Sequence, residues 1–174
     1  MNYTVTRQIG IDAGHRIATH GSKCRHLHGH RYLIEATCRA VHLHQTGEQT
    51  GMVLDFGFLK EEMLAAVDEP CDHGFIVAWD DAEVLGLFTP ADTTLGVWQE
   101  ELRQTIRGAG FACPTDCRLG QKLYVVPFQP TAECLARHWF ERLRPTVERR
   151  SDGLAALVCV RVWETPNCYA EYSA

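Results

Sequence analysis

No stretch of this chain approaches the roughly 18 to 20 unbroken apolar residues that a membrane-spanning helix needs. The opening residues MNYTVTRQIG lack the apolar segment of a secretory leader. A soluble, cytoplasmic protein with no membrane partner is therefore expected. Positive charge is also scarce, with 17 Lys and Arg against 22 Asp and Glu, a net charge of -5 and no basic block. Neutralising a phosphate backbone takes clustered cations, so nucleic acid is excluded as the main ligand and a small molecule is expected instead. Internal repeats and low-complexity segments are absent too. With 174 residues, 45% of them hydrophobic, the chain suffices for one domain with a real core.

What the eight cysteines lack is the regular spacing of a disulfide framework. They read as mostly free thiols. Cys38, Cys134 and Cys159 lie in apolar runs, where a thiol behaves as a small buried hydrophobe. Cys113 and Cys117 form C-x3-C in a loop, but no second pair completes a four-ligand metal set.

Residues 3–14 are rich in β-branched side chains and alternate loosely, which predicts a strand delivering His15 at its end. Residues 16–27 read as a loop. A second strand is expected over 30–40, then a His-rich connection and a short strand GMVLD at 51–55. Asp55 is placed to cap a helix over 56–67 with Leu59, Met63 and Ala66 on its buried stripe, ended by Pro70. Residues 74 to about 121 are the least legible, with a helix around 94–107, and read as an insertion between core elements. The strand KLYVVPF then leads into a helix over 131–148 striped by Leu135, Trp139, Leu143 and Val147. Two final strands flank the turn Thr165-Pro166-Asn167. That order predicts an α+β fold, a four-stranded antiparallel sheet with two helices on one face and an insertion between the helices.

His28-Gly29-His30 enters a strand, where residues two apart share a face, so the two imidazoles project side by side. Gly29 lets backbone approach closely at this junction. His15 ends the neighbouring strand and is placed to complete a three-histidine zinc set with its fourth position open, as catalytic sites keep it. Nine histidines make some clustering expected by chance; His20, His26, His42, His44 and His138 are read as non-ligands, with His26 the first alternate. Cys24, between Lys23 and Arg25, fits either a fourth ligand closing a structural site or a reactive thiol beside an open one. Asp72-His73 reads as a carboxylate orienting an imidazole, or as a polar turn after Pro70.

These residues, in this order, resemble the 6-pyruvoyl-tetrahydropterin synthase and 6-carboxy-tetrahydropterin synthase family. The matching pieces are IDAGHR at 11–16, CRHLHGHRYLIEA at 24–36, GMVLDFGFLK at 51–60, Asp72-His73, PTAECLA at 130–136 and VWETPN at 162–167. Residues 74 to about 121 match nothing in the pattern. The resemblance implies the tunnelling fold, Zn2+ held by His15, His28 and His30, and Cys24 as the base that moves side-chain protons, with Asp72 and His73 completing its relay. It makes Glu164 the carboxylate that anchors the pterin, whose 2-amino group and N3–H present two adjacent donors. Glu133, in the first turn of a helix, either contributes to the site or stabilises the helix dipole.

The spacing Cys24-x3-His28-Gly29-His30 resembles the carboxy-forming bacterial branch of the queuosine pathway more than the biopterin branch, whose spacer is longer. Three residues reach at most about 10 Å, so the spacer controls where the thiol sits. The implied reaction converts 7,8-dihydroneopterin triphosphate to 6-carboxy-5,6,7,8-tetrahydropterin, acetaldehyde and triphosphate. Arg16, Lys23, Arg25 and Arg31 are near enough in sequence to contact phosphate, or else are solvated surface charges. Also implied is a homohexamer of two stacked trimers in which Asp72-His73 reach the Cys24 of a neighbouring subunit. The alternatives are triphosphate elimination without chain cleavage, as in the pyruvoyl-forming branch, and a non-catalytic zinc protein. The insertion and Cys71, which stands where an apolar residue often precedes Asp-His, depart from the family pattern.

Overall fold

The computed structural model describes residues 2–174. Its strands are β1 (Tyr3–His15), β2 (His28–Ala40), β3 (Gly74–Ala78), β4 (Leu123–Val126), β5 (Ala156–Thr165) and β6 (Cys168–Ser173). They hydrogen-bond in the order β4-β3-β1-β2-β5-β6. The helices are α1 (Phe56–Met63), α2 (Glu69–Cys71), α3 (Ala82–Phe88), α4 (Leu95–Ala109) and α5 (Ala132–Arg150). By contacts the chain divides into two compact units, with β1 and β2 each contributing to both.

The first unit takes the chain through Gly10, Arg31–Glu69 and Ala132–Ala174. Here β2 pairs antiparallel with β5 from Leu33↔Trp163 onward, and β5 with β6. Alternation along β2 buries Tyr32, Ile34, Ala36 and Cys38, and α5 buries Leu135, Trp139, Leu143 and Val147 at its four-residue spacing. The branched aliphatic ones among them, Ile34, Leu135, Leu143 and Val147, each contribute about 1.5–3 kcal/mol on leaving water. The opposite face of the sheet carries cross-strand polar pairs, among them Thr6 with Thr37 and Arg161 with Glu35 and Glu171. Asp55 caps α1 as expected, its Oδ1 accepting the Gly57 and Phe58 N–H groups.

Two expectations fail in this unit. No strand forms at 51–55, although Val53 and Leu54 are buried. Gly47 and Gly51 take left-handed backbone, and local bonds from Gly51 N–H to His44 and from Met52 N–H to Gln49 use the groups that a ladder would need. Nor does the helix stop before Pro70, because α1 continues through a wide π turn at Leu64–Asp68 into α2.

His138 is buried on α5, where burial, assisted by the charge of Arg142 and opposed by Glu141, lowers its pKa from 6.5 to about 4. The folded state therefore refuses a proton that the unfolded chain accepts below pH 6.5. The sign follows: stability is complete above pH 6.5 and falls as the pH drops toward 4, by up to about 3 kcal/mol from this group. In thermal melts across this range the unsubstituted protein loses more stability than His138→Gln. Parallel melting curves would refute the assignment.

The second unit is Ile11–His30 with Pro70–Thr131, and it contains the segment 74–121 that the sequence reads as an insertion. β3 runs parallel to β1, in register Ala13↔Gly74 to His15↔Ile76, and β4 runs parallel to β3. This corrects the expected four-stranded antiparallel sheet: the sheet has six strands and is mixed. Parallel strands covered on both faces read as continuous apolar runs, and Ile76–Ala78 and Leu123–Val126 are buried throughout, so no alternation betrays how they pair. Their own core joins Val77, Leu123 and Val125 to Val84 and Leu85 of α3 and to Trp98, Leu102 and Ile106 of α4. Gly110, at φ 82°, ends α4 in the left-handed conformation that glycine adopts without steric cost. Among the described residues no helix is long and apolar enough to cross a membrane.

Candidate metal centre

Strand geometry brings three imidazoles together inside the second unit. His15 is the last residue of β1, and His28 and His30 open β2 on one face. Their ring centroids are 4.5 Å apart for His15 and His28, 5.1 Å for His15 and His30, and 5.0 Å for His28 and His30. One nitrogen of each lies within 4.8 Å of the others, and no other group of three or more metal-ligating side chains forms among the described residues. Two glycines permit this crowding. A Cβ on Gly29 would stand 3.1 Å from the Ala13 carbonyl oxygen, and one on Gly14 would stand 2.5 Å from the Phe75 ring.

Backbone carbonyls orient two of the rings. His15 bonds through Nδ1 to the Pro130 carbonyl at 2.8 Å, and His28 through Nδ1 to the His26 carbonyl at 2.8 Å. A carbonyl accepts only from N–H, so in each ring the proton sits on Nδ1 and the Nε2 lone pair is the one available to a metal. Metal-ligating histidines generally have this support. Burial, reinforced by the neighbouring imidazoles, lowers the His15 pKa to about 4 against the opposing Pro130 bond, and burial followed by His28 lowers that of His30. Both are neutral near pH 7, which a cation requires of its ligands. Three clustered imidazoles, two of them held by backbone carbonyls, suit zinc, and suit it with a coordination position to spare.

The other predicted residues occupy separate elements. Cys24 sits partly buried on the short 3₁₀ turn Lys23–Arg25, its carbonyl accepting the Ile17 N–H at 2.8 Å, and its sulfur is not part of the imidazole cluster. Asp72 and His73 lie in the turn before β3. Asp72 Oδ2 bonds His73 Nδ1 at 2.7 Å, and its Oδ1 accepts the Asp12 N–H at 2.8 Å. The Asp72 carboxyl is held below the usual range, chiefly by that Asp12 bond and then by His73 and Lys122 against some burial. Adjacent residues rarely face each other this way; a left-handed φ of 56° at His73 turns the ring back onto its neighbour. Two bonds hold that backbone, one from His73 N–H to the Asp12 carbonyl and one from Lys122 Nζ to the Asp72 carbonyl. The His73 side chain remains 79% exposed.

Glu164 and Glu133 belong to the first unit. Glu164 is half-buried on β5 at a register shift against β6, between the pairs Trp163↔Tyr169 and Thr165↔Cys168. Such bulges re-aim side chains and recur beside active sites. Glu133 is exposed in the first turn of α5. Sequence reasoning missed the Pro130 and His26 carbonyls, since any residue type supplies a carbonyl. It also missed Gly14, although its position directly before His15 was a usable signal.

A family model described as 6-pyruvoyl tetrahydropterin synthase matches residues 4–174. A Rickettsia bellii protein named 6-carboxy-5,6,7,8-tetrahydropterin synthase is 33% identical over 166 residues, 95% of this chain and 96% of its own. A Haemophilus influenzae protein of the same name is 26% identical over 98% of each chain. In fold the chain is similar to an uncharacterised Wolinella succinogenes protein, with a TM-score of 0.70 and 22% identity over 99% of this chain and 98% of that one. It is also similar to Plasmodium vivax 6-pyruvoyl tetrahydropterin synthase, with a TM-score of 0.61 and 17% identity over 100% and 98%.

Proposed function

Because the chain belongs to the 6-pyruvoyl tetrahydropterin synthase family, we propose that it converts 7,8-dihydroneopterin triphosphate and one water into 6-carboxy-5,6,7,8-tetrahydropterin, acetaldehyde and triphosphate. The carboxy-forming branch is supported by the names of the relatives that cover nearly the whole chain. The observation that carries the chemistry is the cluster of three imidazoles with no thiol in it.

His15, His28 and His30 are the residues to hold zinc. When bound, zinc supplies Lewis acidity, lowering the pKa of hydroxyl groups on the pterin side chain and stabilising negative charge as a neighbouring C–H proton is removed. Cys24 is the base that takes this proton. Asp72 orients the His73 ring, and His73 returns protons to the substrate. Glu164 accepts from the pterin 2-amino group and N3–H, with Glu133 a further contributor. Triphosphate leaves by elimination before the carbon chain is cleaved.

The product belongs to 7-deazaguanine (queuosine) biosynthesis in the cytoplasm. The working form is a homohexamer, a dimer of trimers, with Asp72-His73 serving the Cys24 of a neighbouring subunit. The edge position of β6 supports assembly, since an unpaired strand edge is covered by joining it to another sheet.

Mass spectrometry after incubating zinc-loaded protein with 7,8-dihydroneopterin triphosphate tests the reading. Acetaldehyde and the 6-carboxy pterin are expected in equal amounts. Triphosphate release with a three-carbon side chain retained assigns the pyruvoyl-forming reaction, and bound zinc without turnover assigns a non-catalytic zinc protein.

A further inference from the structure

The loop that leaves the metal centre is held by the insertion. Arg16 follows His15 directly. Its guanidinium grips one carboxylate with two prongs, Nε to Asp81 Oδ2 at 2.7 Å and Nη2 to Asp81 Oδ1 at 2.6 Å, and Nη2 also reaches Glu83 at 2.8 Å. Such forked, charge-assisted bonds fix direction as well as distance. They also engage Arg16 with carboxylates rather than with a phosphate.

Asp81 is a firm post. Its side chain is 2% exposed, its Oδ1 accepts the Val84 N–H as the cap of α3, and Val84 and Leu85 sink into the core of the second unit. The residues after Arg16 carry the constraint onward. Ile17 donates its N–H to the Cys24 carbonyl at 2.8 Å, and Ala18 donates to the Gln129 side chain at 3.1 Å. One backbone bond thus ties the thiol's residue to the residue beside the clamp.

We propose that Asp81 is a positioning residue for the reaction: by gripping Arg16 it fixes Ile17 and, through the Ile17–Cys24 bond, sets Cys24 relative to His15. The insertion is then the rigid support of the loop bearing the thiol. This rests on the assignment of Cys24 as the base.

Asp81→Asn isolates the clamp, because asparagine keeps the shape and an oxygen for the α3 cap while losing the charge that grips Arg16. Arg16→Lys is the companion, retaining charge without the fork. Both variants are expected to bind zinc like the parent, to keep KM within about threefold and to lose roughly 10- to 100-fold in kcat, the usual effect of misplacing a catalytic group. Native-state hydrogen exchange at the Ile17 amide is expected to quicken about tenfold in Asp81→Asn, since its partner is no longer held. A purely structural role would instead lower melting temperature and zinc content together. Parental kcat in both variants, or unchanged Ile17 exchange, overturns the proposal. The exchange measurement involves no turnover, so it decides the clamp even if the assignment of Cys24 fails. An active Cys24→Ala variant would refute that assignment and leave the exchange result standing.

Discussion

His28→Ala and His30→Ala each lose bound zinc and turnover together. Each removes one of three imidazoles from a cluster in which, among the described residues, no other protein ligand lies. Disturbing only the groups that orient a ligand typically costs 10- to 100-fold in metal affinity, so removing the ligand should cost at least about 100-fold. The two positions also make a clean experiment. Both side chains are partly exposed, whereas His15 is 2% exposed, and truncating His15 adds a packing defect to the loss of a ligand. Metal analysis after dialysis against a weak chelator, with kcat on the same samples, checks this. A full complement of zinc in both variants would move the metal elsewhere.

Cys24→Ala has the opposite signature, retaining zinc while kcat falls about 10²- to 10⁴-fold, the usual contribution of a positioned proton-transfer group. The thiol lies on the turn after the loop and outside the imidazole cluster, so the metal does not depend on it. Loss of zinc from this variant would instead make Cys24 a fourth ligand and the site a closed structural one. Zinc retained with turnover unchanged would give the proton transfer to another group, with His73, bonded to Asp72, the first to examine.

How much of this was legible varies from element to element. The stripes of α1 and α5, the Asp55 cap and the C-terminal hairpin are local patterns, set by residues a few positions apart, and they appear as expected. The expected helix over 94–107 is found at Leu95–Ala109 for the same reason. The expected strand at 51–55 does not form, because burial of apolar residues does not require pairing. Buried Val53 and Leu54 satisfy the hydrophobic pattern, but pairing needs a partner strand, and the local turns claimed the backbone bonds first.

The period of a strand accounts for part of the histidine cluster: His28 and His30 share a face because side chains alternate along β2, and the same alternation left His26 open as an alternate to His15. The fold brings His15, at the end of β1, to that pair. The tertiary structure decided what fixes them. Pro130 lies 115 residues from the ring it orients, and Asp81 lies 65 residues from the arginine it grips. A carbonyl is common to every residue, and a carboxylate is one of 22 in this chain, so neither announces its partner before the backbone folds. The same holds for β3 and β4, whose apolar runs recorded burial, while their parallel pairing arose only when β1 was present beside them.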